Sequence, residues 1–263
     1  MTDNIELTGF SRLLDQMDLW RNFPHYRLEF RADLVFGMFL PEILGKSQLA
    51  QESNVEIHPR LIPEFPFPHG LQNTESKNRT SDRIDFAVFG SLPDGRYCLY
   101  LIELKTDSSS INDPQNEKLA ALETRNEAEQ TIKDWLESIK SVIKSTKQKG
   151  KYLYVLHALS EWGLIKEQVL APILEKYWNS GSRSGLQALV ERLSINDEIS
   201  SNLQIKTILI TPDRYTTELE KPLLIRFSEL AHWLRKQRTS EGERFALSLE
   251  KWNTRAGAMP PGQ

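Results

Sequence analysis

The feature that most constrains this chain is the stretch SDRIDFAVFGSLPDGRYCLYLIELKTD, residues 81 to 107. Two apolar runs flank Pro93-Asp94-Gly95, a turn signal, and the pattern predicts a β-hairpin. A turn centred on Asp94 sets Asp85, nine residues before it, opposite Glu103, nine residues after it. Side chains alternate along a strand, so Glu103 and Lys105 fall on one face and Ile102 and Leu104 on the other. Directly paired residues point the same way, which places Asp85 on the face of Glu103.

Two carboxylates about 5 Å apart across a hairpin repel, and burial makes the pairing worse. Three arrangements relieve it. A divalent cation can sit between the carboxylates. One carboxylate can keep its proton. Alternatively, Lys105 and a neighbouring arginine can neutralise the pair. Magnesium suits the first arrangement, since it takes oxygen ligands and needs only one or two carboxylates. No His/Cys cluster offers a zinc site.

An Asp on one strand followed by Glu-x-Lys on the next resembles the PD-(D/E)xK nuclease superfamily. The residues that carry the resemblance are RIDF, with Asp85, and IELK, with Glu103 and Lys105. Ile84 stands where the family's name has proline. The expected order of elements over residues 27 to 158 is similar as well: helix, three antiparallel strands, helix, strand. The resemblance implies a restriction-endonuclease-like core of α/β (α+β) type, with a mixed central sheet flanked by helices and a helical or mixed C-terminal extension. It implies Mg²⁺, or Mn²⁺ in its place, held by Asp85, Glu103 and the Leu104 carbonyl. Lys105 would orient the attacking water or stabilise charge on the phosphate, and DNA is the implied partner. Many members add a Glu from the first helix and a polar residue after the third strand. Glu42 and Gln115 are the candidates here, with Glu64 on the first strand as an outside one.

The remaining segments read as follows. Residues 5 to 20 predict a short amphipathic helix. A second helix carries Leu28, Ala32, Val35, Phe36 and Phe39 at helical spacing, is kinked or restarted at Pro41 and closes at Gly45. PRLIPEFPFPHG, with four prolines, allows at best an edge strand. The pattern over 117 to 149 predicts the longest helix, with a buried stripe through Ile132, Trp135, Leu136 and Ile139. GKYLYVLHAL, entered after Gly150, reads as a strand. Helical stretches are expected near 162 to 178 and 184 to 194. LQIKTILITP is expected to be a strand, and PLLIRFSELAHWLRKQRT a short strand running into a helix. The expected organisation is a core over 1–160, a part over 161–252 packed on the same sheet, and a disordered tail over 253–263.

Hydrophobic residues are 39% and charged residues 26%, with a formal net charge of -3. That is a globular balance with no global basic excess, so any nucleic-acid site must be local. The lone Cys98 rules out a disulfide within the chain, and with no apolar run near ~20 residues and no secretion signal a cytoplasmic protein without a membrane span is expected. A homodimer is a possible assembly.

Each feature also has a plainer reading. Asp85, Glu103 and Lys105 would otherwise form a buried structural ion pair, Glu42 a solvated helix-end acid, and Gln115 a loop residue. Lys140, Lys144, Lys147, Lys149 and Lys151 could grip a phosphate backbone, but lysines late in a helix also complement its dipole. Arg79 and Arg83 flank the hairpin mouth. Tyr152 and Tyr154 read as sheet packing, and the five histidines show no partner spacing. Two other functions stay open. One is a nuclease-fold accessory module without catalysis, related to mobile elements or defence. The other is an enzyme such as a glycosidase, which the lysine two residues after Glu103 fits poorly.

Overall fold

The strand Tyr97–Leu104 (β3) is buried at every position after Tyr97, which requires cover on both faces. The computed structural model describes residues 9–21, 28–46, 54–67, 82–106, 128–145, 149–166, 170–172, 174–175, 190–215 and 222–254. Among these, β3 lies at the centre of a five-stranded mixed sheet with strands in sequence order. Glu56–Phe67 (β1), Asp82–Ser91 (β2) and β3 run antiparallel. Leu203–Thr211 (β4) is parallel to β3, and Leu223–Arg226 (β5) is parallel to β4. Hence β4 and β5 extend the sheet begun by the hairpin.

Helices cover both faces. On the first, Trp135 and Ile139 of α3 (Ala128–Ser145) and Leu153 and Leu156 of α4 (Lys149–Glu161) pack on Ala87, Phe89, Leu99 and Leu101. On the second, α1 (Gly9–Trp20), α2 (Glu29–Lys46), α5 (Phe227–Lys236) and α6 (Ser240–Asn253) bury Val88, Tyr100, Ile102, Ile208 and Ile210. No helix among the described residues is long and apolar enough to cross a membrane.

The hairpin has the predicted register: Ser91 pairs with Tyr97, and Phe86 with Ile102. Gly95 closes the turn at φ +82, a conformation that glycine adopts without steric cost. The proline-rich segment forms β1 at the sheet edge. The edge is pinned where Trp135 stacks on Phe65, ring centroids 5.2 Å apart, and its indole N–H donates to the Pro66 carbonyl. The second helix runs through Pro41 to Lys46.

One expected strand is a helix. GKYLYVLHAL forms most of α4, with Gly150 in its first turn. Leu153, Leu156 and Leu159 recur every three residues and are buried, while Tyr154 is 62% exposed. That is helical spacing, and the aromatic and β-branched residues between the leucines mimicked strand propensity. The strand expected there is supplied by β4. Of the helix expected over 117–149, the described residues show α3 over Ala128–Ser145, and 117–127 and 146–148 lie outside the described residues. Of the helix expected over 162–178, residues 170–172 and 174–175 are helical, whereas 162–166 form a turn and a bridge from Ile165 to Ile195; residues 184–189 and the tail beyond residue 254 lie outside the described residues.

Candidate active site

The site is built where β2 and β3 stop pairing. Lys105 N–H donates to the Ile210 carbonyl at 2.8 Å, so Lys105 directs its backbone toward β4 and Leu104 directs its own toward β2. The Leu104 N–H would meet a β2 carbonyl in a continued ladder. Instead it donates to Asp85 Oδ2 at 2.6 Å. The last recorded pair is accordingly Phe86 with Ile102.

Asp85 sits at a reversal of the sheet's faces. Ile84 packs in the first core and Phe86 in the second, although residues two apart normally share a face. On β1, Ile62 and Phe65 are three apart and share the first core. Between them Glu64 has φ 49, in the left-handed region. The strand pair thus turns over at Glu64 and Asp85. Strict alternation placed Asp85 on the Glu103 face; with the reversal, its carboxylate reaches across to the β3 backbone and feels charges from both sides.

Burial, then the negative charge of Glu103, pushes the Asp85 carboxyl up to about 8, and Asp33 adds to the rise. The Leu104 N–H and, more weakly, Lys105 oppose it. Glu103 and Lys105 are almost wholly buried, and Lys105 Nζ lies 2.6 Å from Glu103 Oε1. Of the three ways to relieve the carboxylate repulsion, two are therefore visible: Asp85 keeps its proton near neutrality, and Lys105 neutralises Glu103.

Asp33 is a residue that sequence reasoning missed. It lies on α2, half-buried, one turn before Gly37. A methyl group at Gly37 would meet Phe86 Cε1 at 3.8 Å, so this stripe of α2 faces β2 beside Asp85. Glu42, the expected helix acid, is exposed. It lies nine residues beyond Asp33, half a turn around the helix and about 13 Å along it. The helix acid that couples to Asp85 is Asp33 rather than Glu42. The signal was present: Asp33 is an acid set among the apolar residues Ala32, Val35 and Phe36.

Glu64 is exposed and pairs with Arg83 at 3.0 Å. Gln115 and Arg79 lie outside the described residues. Lys140 is buried and bonded to Glu137 at 2.7 Å, so it presents no cation to a phosphate backbone. Lys151 is exposed; Lys147 and the side chains of Lys144 and Lys149 lie outside the described set. Tyr152 and Tyr154 lie on α4 rather than in the sheet.

Among the described residues, no group of three or more His, Cys, Asp or Glu side chains is gathered to hold a metal ion. Asp85 and Glu103 supply two carboxylates, Asp85 bonded to the Leu104 N–H, and oxygen donors of this kind are what Mg²⁺ takes. Comparison with known protein families, with curated proteins and with solved structures finds no match.

Proposed function

We propose that this protein is a metal-dependent nuclease of the restriction-endonuclease-like fold that hydrolyses DNA phosphodiester bonds. The observation that carries the reading is the convergence of Asp85, Glu103 and Lys105 where β2 and β3 separate, with Leu104 bonded to Asp85. The order α2, three antiparallel strands, helices and then parallel β4 also supports it.

Asp85, Glu103 and the Leu104 carbonyl would hold Mg²⁺ or Mn²⁺, with Asp33 as the acid from α2. When bound, the ion supplies Lewis acidity and lowers the pKa of a coordinated water. To hold the ion Asp85 would have to be ionised, and Glu103, now paired with the Lys105 ammonium, would serve as the second carboxylate. Lys105 would orient the attacking water or stabilise negative charge on the phosphate. The burial of the pair keeps this charge stabilisation away from bulk water.

A second reading is a nuclease-fold accessory module without catalysis. It is favoured by one specific observation: the Glu103–Lys105 pair and the raised Asp85 pKa balance the site's charge with no cation. The readings separate by thermal unfolding with and without Mg²⁺ or Mn²⁺. A nuclease site raises the wild-type midpoint on cation addition and not that of Asp85→Asn. An inert module shows no cation response in either protein.

A further inference from the structure

Thr211 ends β4 and is 0% exposed, and among the described residues its hydroxyl has no hydrogen-bond partner. A buried hydroxyl left in that state is destabilising and marks a place where a partner arrives or leaves. Its position is defined by register. Leu104 pairs with Ile210, and Lys105 N–H donates to the Ile210 carbonyl, so Lys105 and Thr211 are neighbours on adjacent strands about 4.8 Å apart. Pro212 has no N–H to return to the Lys105 carbonyl, so the ladder ends there. Ile208 and Ile210 point into the second core, and alternation turns Thr211 to the opposite face, the face of Glu103 and Lys105.

We propose that Thr211 is a positioning residue for Lys105 in the nuclease reaction, an inference that rests on the nuclease reading above. An ammonium carries three donors and no acceptor. In the structure one donor goes to Glu103 Oε1. When Glu103 turns to a cation, the Thr211 hydroxyl accepts from the ammonium in its place. Lys105 then stays directed at the phosphate instead of following the carboxylate. The exchange moves one hydrogen bond and makes or breaks no covalent bond.

The test uses the full chain with Thr211→Val, which removes the hydroxyl and keeps the shape, and Thr211→Ser, which keeps the hydroxyl. Ca²⁺ binding is read by calorimetry, and cleavage of a duplex under Mg²⁺ by single-turnover kinetics. The expected result is wild-type Ca²⁺ affinity and DNA affinity in both variants. Cleavage by Thr211→Val falls roughly tenfold or more, the loss of a hydrogen bond to a charged group, and Thr211→Ser restores most of it. Thr211→Ala, expected to behave as Thr211→Val, guards against a packing effect of the valine. Wild-type cleavage by Thr211→Val overturns the proposal. So does a parallel loss of Ca²⁺ affinity, because the hydroxyl would then act through the ligands. If the wild type neither binds the cation nor cleaves, the nuclease reading itself fails and takes this proposal with it.

Discussion

Lys105 Nζ stands 2.6 Å from Glu103 Oε1, and the two side chains are only 5% and 4% exposed. Two residues apart on one strand face, they form a buried ion pair of the kind whose partners cannot be removed singly. Taking one away leaves the other charged in a poorly solvated place.

Lys105→Met is therefore expected to destabilise the fold by about 3–5 kcal/mol, read as a fall in the denaturant midpoint. Combining it with Glu103→Gln is expected to recover much of the loss, since the stranded charge is gone. A single variant as stable as wild type would contradict the buried pair.

Asp85 sets a pH dependence whose sign is defined. Its carboxyl is raised from 3.8 to about 8 in the folded protein. Between those values the native state holds a proton that the unfolded chain has lost, so stability falls as pH rises through this window. The slope from this group reaches at most about 1.4 kcal/mol per pH unit and vanishes above the folded pKa. Asp85→Asn mimics the protonated form and still accepts from the Leu104 N–H. Urea denaturation between pH 5 and 9 should show a shallower decline for the variant, and identical profiles would exclude a buried, protonated Asp85.

Cation binding should run with the same titration. At pH 6 the ion must displace the Asp85 proton, and at pH 8.5 it need not. Added Mn²⁺ is thus expected to raise the thermal midpoint more at pH 8.5 than at pH 6. At a hundredfold excess over its dissociation constant the stabilisation is about 2.7 kcal/mol. A response independent of pH would remove Asp85 from the ligand set.

Much of this site is written in the local sequence, and the missing parts have identifiable physical causes. Pro93-Asp94-Gly95 defines the turn, and turn geometry with period-2 alternation is enough to set the register that brings Asp85 toward Glu103. What alternation could not supply is the reversal at Glu64 and Asp85, because a positive φ at a glutamate has no compositional signal. In α2, the resemblance points to a glutamate and so to Glu42, whereas the helical angle selects Asp33, and that angle depends on which stripe meets β2. Residues 149–161 failed for another reason: Tyr152, Tyr154 and Val155 favour strands locally, and the buried leucine spacing that makes the segment a helix is a tertiary effect.

That assignment is testable without any activity. Leu153→Ala removes a fully buried side chain from the core between α4 and the sheet and is expected to cost about 2–5 kcal/mol. Tyr154→Ser, at a 62% exposed position, is expected to stay within about 0.5 kcal/mol. Equal, large losses at both positions in thermal denaturation would argue for a segment buried on both sides, as in a central strand.

The central claim is tested most directly by incubating plasmid and end-labelled single-stranded DNA with Mg²⁺ or Mn²⁺ and either wild-type protein or Asp85→Asn. The account predicts cleavage by the wild type that needs the cation, with activity lost in the variant while its thermal midpoint shows it folded. No cleavage by the folded wild type with either metal, together with no cation binding by calorimetry, would contradict it.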